Sequence, residues 1–123
     1  MNFWLLVSGI CAILLCLVHV LPGGREFHRP MVASLLPEPA KAAWSVLWHA
    51  MSAILCFGGA GLVAAAFLPN HALSLAVLPI TLYLASAVLF IVYGLARLGT
   101  LRLLPQWMAF LVISVLGLIG LIP

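Results

Sequence analysis

The chain has 123 residues, of which 67% are apolar and only 6% are Asp, Glu, Lys or Arg, and its mean hydropathy is +1.34. A water-soluble domain devotes roughly a quarter of its residues to charged side chains, so this composition excludes a soluble globular fold. The formal net charge of +3 comes from five dispersed cations and two glutamates, which form no continuous basic stripe and therefore exclude a nucleic-acid partner.

Four apolar runs are long enough to cross a bilayer, because a hydrocarbon core about 30 Å thick needs about 20 helical residues. The first run closes at Pro22-Gly23-Gly24 and the second closes before Pro69, where turn-forming residues interrupt the helix. Open strands are excluded because their edges would leave peptide groups without partners in lipid. We predict an all-α polytopic membrane protein, a single domain over residues 1–123, with a bundle of four transmembrane helices at about 3–21, 42–67, 72–95 and 103–122.

Basic side chains occur in only two of the connections between these spans. Residues 22–41 contain Arg25, Arg29 and Lys41, and residues 96–102 contain Arg97 and Arg102. The first and third connections of a four-span chain lie on the same side of the membrane, and an excess of Lys and Arg marks the cytoplasmic side. We therefore predict cytoplasmic loops at 22–41 and 96–102, with the N-terminus and the C-terminus both outside.

Small and mildly polar residues form one stripe along each of the first three spans when successive residues are placed about 100 degrees apart. Helices in lipid associate through close packing and interhelical hydrogen bonds, so we expect the three stripes to face one another. The stripes consist of Ser8, Ala12, Cys16 and His19 on the first span, of Ser45, His49, Ala53, Cys56 and Ala60 on the second, and of Ser74, Thr81, Ala85 and Val88 on the third.

Two histidines within the predicted spans are the main candidates for function, because an ionisable side chain in a bilayer is costly. His19 and His49 lie near the cytoplasmic ends of consecutive spans, so their imidazoles could meet. They could bind a metal ion with the thiolate of Cys16, or ligate a haem. A quinone or a lipid head group could instead be hydrogen-bonded by His49, Gln106 or Arg29. Each histidine could also simply bond a hydroxyl, a carbonyl or interfacial water. The sequence identifies no particular cofactor.

The connection at residues 23–41 mixes charged and apolar side chains. Between Pro30 and Pro37 this pattern predicts a short amphipathic helix that lies in the headgroup layer. Arg25 and Arg29 could then reach lipid phosphates, which is the usual position of such long basic side chains at an interface.

The residues that enzymes use for hydrolysis or phosphoryl transfer are missing from this sequence. The chain has no Asp, both glutamates lie in the 23–41 connection, and no Ser-x-x-Lys, His-Glu-x-x-His or Gly-x-Ser-x-Gly motif occurs. We therefore predict that the protein is not an enzyme. No predicted span contains a carboxylate, which counts against a proton-coupled carrier.

Two short motifs open the second and fourth spans, Trp48-His49 and Pro105-Gln106-Trp107. In these motifs the chain resembles a loose group of small bacterial four-span inner-membrane proteins, and the resemblance covers most of the chain. It implies a multi-pass protein of the bacterial inner membrane and carries over no catalytic residue.

Two functions remain open at this point. The absence of catalytic groups and the small-residue stripes favour an accessory or scaffold subunit of a membrane assembly. Its partners would be the lipid bilayer, other membrane subunits or further copies of itself. The alternative is a ligand-binding or transport module, centred on His19 and His49, that takes a metal ion, haem, a quinone or a lipid.

Overall fold

The computed structural model describes residues 1–122, and every regular element among them is a helix, which confirms the all-helical prediction. Helix α1 (Phe3–Val18) continues without a break through wider π-helical turns (His19–His28) and one further α-turn (Arg29–Val32). Helix α2 is Glu38–Phe67, and helix α3 is Ala72–Tyr93 with a π-helical extension at Gly94–Leu98. A 3-10 turn, Pro69–His71, joins α2 to α3, and helix α4 is Gln106–Leu121.

The four helices form a bundle in which each helix packs against the two that neighbour it around a ring, α1 to α2 to α3 to α4 to α1. Hydrogen bonds of Asn2 hold one end of this ring together. Its backbone N–H donates to the carbonyl of Ala66 at the end of α2 (2.8 Å), and its side-chain amide donates to the carbonyl of Gly120 at the end of α4 (2.6 Å). The first residues of the chain and the end of α4 therefore lie at this end, which we call the terminal end.

The opposite end, which we call the basic end, holds all five Lys and Arg residues. Arg25 and Arg29 lie in the extension of α1, Lys41 in the first turn of α2, Arg97 in the extension of α3, and Arg102 in the connection to α4. Three continuous helical segments of 30 residues, Phe3–Val32, Glu38–Phe67 and Pro69–Leu98, are long and apolar enough to cross a membrane. The chain is therefore a membrane protein with three long apolar helices and a shorter fourth.

Helix α4 is much shorter than its neighbours, and this difference shapes the basic end. Its 16 residues extend about 24 Å, whereas 30 helical residues extend about 45 Å. Because Asn2 fixes α1, α2 and α4 to a common level at the terminal end, the extra length of α1 and α2 projects beyond α4 at the basic end. A recess is left above the first turn of α4.

The first helix does not end at Pro22-Gly23-Gly24, as the sequence pattern suggests, but continues to Val32. Proline normally breaks an α-helix because its ring clashes with the preceding turn and it has no N–H to donate. The wider π-helical turns around Pro22 separate these groups and let the helix continue. The predicted interfacial helix between Pro30 and Pro37 is reduced to the single turn Arg29–Val32, and α2 begins at Glu38 rather than near residue 42.

The predicted inner face of α1 is correct. Ser8 and Ala12 are fully buried, and Cys16 and His19 are half-buried. The hydroxyl of Ser8 donates to the carbonyl of Ile113 on α4 (2.7 Å), an interhelical hydrogen bond of the kind that lipid-embedded helices use.

The predicted inner face of α2 is wrong. His49, Cys56 and Ala60 are exposed, and the core-facing line is instead formed by Leu55, Gly59, Leu62 and Ala66. The two lines lie about one residue, or 100 degrees, apart on the helix. The helix is turned so that Gly59, rather than Ala60, meets α1 at the point of closest approach.

The predicted inner face of α3 is also wrong, because its stripe of Ser74, Thr81, Ala85 and Val88 is exposed. Thr81 satisfies its hydroxyl by donating to the carbonyl of Val77 on its own helix (2.8 Å), so it can face lipid without an unpaired polar group. The buried face holds Ala76, Ile80, Tyr83 and Ala87 instead.

Candidate functional site

Three imidazoles and two indoles meet at the basic end. The His19 ring stacks on Trp48 of α2, with centroids 3.9 Å apart and planes 19° apart. The His28 ring lies 5.4 Å from Trp48 and 5.6 Å from His49, and the Trp44 ring lies 6.0 Å from Trp48. The five rings form one continuous aromatic cluster.

The π-helical turns explain why His28 belongs to this cluster. His19 and His28 are nine residues apart, a spacing that places two side chains on opposite faces of a regular α-helix. Across the π segment His19–His28, whose turns are wider, the same spacing covers about two turns and returns both rings to one face. For this reason His28 was not among the predicted site residues, and in the sequence only the Pro22-Gly23-Gly24 interruption signals a departure from regular helix.

Hydrogen bonds occupy one nitrogen on each of two of these rings. His19 Nε2 donates to the backbone carbonyl of Trp48 (3.2 Å), because a carbonyl can only accept. His28 Nε2 lies 3.3 Å from the hydroxyl of Ser45. His19 and His49 do not form a facing pair, since Trp48 and His28 lie between them in the cluster.

The proposed metal ligands are not brought together. Among residues 1–122, no group of three or more His, Cys, Asp or Glu side chains is placed to hold a metal ion. The thiol of Cys16 donates to the carbonyl of Ser52 (3.4 Å), and His49 is exposed on the outer side of α2. The arrangement of His19, His49 and Cys16 in this structure therefore gives no support to a shared ion.

A cavity of about 320 Å³ lies beside the ring cluster, in the recess above the first turn of α4. Leu55 and Phe110, which belong to the buried core, close its inner side. Aromatic residues from all four helical segments make up much of the wall, namely Phe27, Trp44, Trp48, Phe90 and Phe110. The remaining wall is mainly aliphatic and includes Leu15, Leu47, Met51 and Leu104.

Two buried polar atoms in the cavity wall have no hydrogen-bond partner within residues 1–122. They are Nε1 of Trp44, on α2, and Oε1 of Gln106, at the start of α4. Nearly all buried polar groups in proteins are paired, and leaving one unpaired costs about 1–3 kcal/mol. Both residues line the cavity, and both atoms are covered by neighbouring protein atoms without bonding to any of them. Gln106 was among the predicted ligand contacts, whereas Trp44 was not.

Charge is distributed unevenly between the cavity and its surroundings. Glu26 lines the cavity at an exposed position, because the extension of α1 carries this residue in a helix rather than in a loop. Within the described part of the chain no Lys or Arg lines the cavity, and Arg29, a predicted ligand contact, is exposed outside it. The five cations surround the basic end without entering the pocket.

Comparison of the chain with protein-family models, with curated protein sequences and with solved structures finds no match. Function is therefore inferred from the cavity itself. Its wall is apolar and ring-lined and includes a few polar side chains, among them the indole of Trp44 and the amide of Gln106, which is the usual composition of a small-molecule site.

Proposed function

We propose that this membrane protein binds a small amphipathic molecule in the cavity at the basic end of the bundle, through recognition rather than catalysis. The observation that carries this proposal is the pair of buried, unpartnered atoms, Trp44 Nε1 and Gln106 Oε1, in the wall of one cavity. A ligand that paired with either atom, once a rotation of the Trp44 or Gln106 side chain brings that atom to the cavity surface, would recover the free energy that its isolation costs. The ligand-binding function is thus favoured over the accessory-subunit function, with Trp44 and Gln106 as its proposed centre. Of the two predicted histidines, His19 lines the same cavity and His49 does not.

The size and surroundings of the cavity indicate how such a ligand would be held. A volume of about 320 Å³ is near the lower limit for small-molecule sites, so it accommodates a ring or a head group rather than a whole lipid. Val18, Phe27 and Leu47 line the cavity and are also exposed at the outer surface of the bundle. An apolar tail would leave between these residues into the surrounding lipid.

The proposed setting is the bacterial inner membrane, as the motif resemblance implies. Five cations at one end of the bundle, and none at the other, favour an orientation in which the basic end faces the cytoplasm and both termini lie outside. The ligand would then enter from the cytoplasmic leaflet.

Filling the cavity tests the proposal. Leu104 lies half-buried in the cavity wall, whereas its neighbour Leu103 is exposed and does not line the cavity. Leu104→Trp should remove any small molecule that copurifies with the protein in mild detergent, as measured by mass spectrometry of the organic extract. The matched variant Leu103→Trp should retain it. Equal retention by both variants, or no bound molecule in the wild-type protein, would contradict ligand binding in this cavity.

An accessory or scaffold role is a second proposal, and one observation favours it. The small residues Cys56 and Ala60 are exposed on α2, outside the buried core of the bundle, and leave room for another membrane helix. Purification in mild detergent would test this role, because a stable complex with another membrane subunit, or with a second copy, is expected. A monomer under all mild conditions would contradict it.

A further inference from the structure

We infer that the cavity at the basic end holds the head group of an amphipathic organic cation, namely an ammonium ion that carries alkyl groups in place of all its hydrogens. This inference rests on the proposed ligand-binding function and adds the chemical class of the ligand. Three features of the cavity carry it: its aromatic wall, the carboxylate of Glu26, and the absence of Lys and Arg among the described residues that line it.

Aromatic rings make up much of the cavity wall. Phe27, Trp44, Trp48, Phe90 and Phe110 line a volume of about 320 Å³, so a head group that fills this space contacts several rings at once. The face of an aromatic ring carries partial negative charge and attracts a cation within about 6 Å of the ring centre, most strongly where water is excluded. Rings grouped in this way are a common means of recognising alkylated ammonium ions.

Glu26 adds a negative charge to this wall. The π-helical extension of α1 carries its side chain to the cavity. Among residues 1–122 the only ion pair joins Lys41 to Glu38 (2.9 Å), so the carboxylate of Glu26 has no Lys or Arg partner. It therefore remains free to balance the charge of a bound cation, and it disfavours a carboxylate in the same space.

The basic residues of this end lie outside the cavity wall. All four arginines of the chain are exposed and none lines the cavity, and Lys41 is paired with Glu38. Water and salt screen charges at exposed positions over about 10 Å. A cation in the cavity thus meets the carboxylate of Glu26 in the wall, whereas the guanidinium groups act on it through solvent.

The scarcity of hydrogen-bond acceptors favours a fully alkylated ammonium over a primary one. A primary ammonium has three N–H donors, each of which needs an acceptor when it is buried, whereas a fully alkylated ammonium has none. Of the described residues that line the cavity, only Glu26 and Gln106 carry a side-chain oxygen, and the oxygen of Gln106 is covered by neighbouring protein atoms. Alkyl groups can instead pack against the apolar wall.

Calorimetric titration of the protein in maltoside micelles, with empty micelles subtracted, tests the class. The probes share an octyl chain: octyltrimethylammonium, the hydrocarbon in which carbon replaces its nitrogen, octylammonium and octanoate. A pH of about 8 keeps the imidazole of His19, which also lines the cavity, uncharged. We expect octyltrimethylammonium to bind at least about tenfold more tightly than the hydrocarbon or octanoate, and several-fold more tightly than octylammonium. Equal or tighter binding of any of these three would overturn the inference.

Glu26→Gln removes the charge of the carboxylate and keeps its size. This variant should bind octyltrimethylammonium about two- to fivefold more weakly, a modest loss because Glu26 is exposed, and should bind the hydrocarbon as before. The matched control is Glu38→Gln, at the other acidic residue of the chain, which does not line the cavity and should change neither affinity. Equal affinities of these two variants for the cation would overturn the inference.

Phe27→Leu tests the contribution of an aromatic ring. The aliphatic side chain keeps the wall apolar, so this variant should weaken the binding of octyltrimethylammonium several-fold more than that of the hydrocarbon. Phe57→Leu, the same change at an exposed position outside the cavity, should weaken neither. If Phe27→Leu weakens both probes equally, the ring contributes only buried area and the inference is wrong.

A free cation and the choline head group of a lipid both carry an alkylated ammonium, and octylphosphocholine distinguishes these two sources. Its phosphate adjoins the ammonium, so a site for a free cation binds it more weakly than octyltrimethylammonium. A site for a lipid head group binds it at least as tightly. Either result supports the ammonium class, which the other probes test.

Failure of this inference is distinguishable from failure of the proposed function. Binding of the hydrocarbon or of octanoate that Leu104→Trp abolishes would keep the cavity as a binding site and overturn the ammonium class. If no probe binds and nothing copurifies with the protein, both the site and the class are wrong.

Discussion

Gly9 of α1 and Gly59 of α2 pack against each other at the crossing of the two helices, so closely that neither has room for a Cβ. A Cβ placed on Gly9 would lie 2.8 Å from the carbonyl oxygen of Gly59 and 2.8 Å from the backbone nitrogen of Val63. These are backbone atoms of a helix and cannot move aside independently. The crossing therefore depends on a missing side chain, as in other close helix pairs in membranes.

The variant Gly9→Ala should destabilise the bundle by about 1–3 kcal/mol, since the added methyl group forces α1 and α2 apart. Thermal unfolding in mild detergent, followed by near-UV circular dichroism, measures the change. Gly24→Ala is the control, because a Cβ there meets nothing within 4 Å. Equal transition temperatures for the two variants would show that the close crossing does not stabilise the fold.

A second prediction concerns Tyr83, whose hydroxyl lies within reach of the carbonyls of Ile54 (3.1 Å) and Leu55 (3.2 Å) on α2. Tyr83→Phe should cost about 0.5–1.5 kcal/mol, the net value of one hydrogen bond. The same hydroxyl occupies the space that a Cβ on Gly58 would need. Gly58→Ala should therefore be less destabilising in the Tyr83→Phe background than in the wild-type protein.

A double-mutant cycle of these two changes, measured by the same unfolding assay, gives the coupling between the residues. We expect the double variant to lose less stability than the sum of the two single losses, by about 0.5 kcal/mol or more. Strictly additive effects would mean that Tyr83 and Gly58 do not touch in the folded protein.

The helical class and the polarity of the two ends could be predicted from the sequence, but the inner faces of α2 and α3 could not. In water, the buried face of a helix is marked by apolar residues, whereas in lipid both faces are apolar. Small polar residues then become the only guide to the buried face. They mislead wherever their side chains form hydrogen bonds to carbonyl groups one turn away in the same helix. Thr81 bonds the carbonyl of Val77, and Ser74 bonds that of His71, so both lie on the outside.

The candidate site was predictable only in part, for a different physical reason. Gln106 was recognised as a polar residue at the start of a span, and His19 as an ionisable residue within one. The positions of His28 and Glu26 depend on the π-helical extension of α1, which regular helical periodicity cannot reproduce. The cavity itself exists because α4 is shorter than its neighbours, a tertiary property that no local pattern encodes.

The third prediction concerns Asn2, which serves two roles at the terminal end. Its side-chain oxygen accepts from the backbone N–H of Leu5 (3.1 Å) and caps α1, while its amide nitrogen donates to Gly120 on α4. Asn2→Ala removes both interactions and should cost about 1–2 kcal/mol. Asn2→Asp keeps the cap but replaces the donor with an acceptor that faces a carbonyl.

The comparison of these two variants separates the roles in the unfolding assay. Asn2→Asp should be at least as destabilising as Asn2→Ala, because the carboxylate and the Gly120 carbonyl repel each other. If Asn2→Asp were as stable as the wild-type protein, capping of α1 would be the whole contribution of Asn2, and the link to α4 would add nothing.

The orientation of the bundle leads to the last prediction. Cysteine introduced in place of Ser34, in the connection between α1 and α2 at the basic end, should lie in the cytoplasm, whereas cysteine in place of Asn70, in the turn between α2 and α3, should lie outside. With the native residues Cys11, Cys16 and Cys56 replaced by alanine, a membrane-impermeant maleimide should label Asn70→Cys in intact cells and Ser34→Cys only after permeabilisation. The physical reason is that each Lys or Arg resists transfer across the membrane, and the five such residues lie at one end. Labelling of Ser34→Cys in intact cells would reverse the orientation, and the cavity would then open to the outer leaflet.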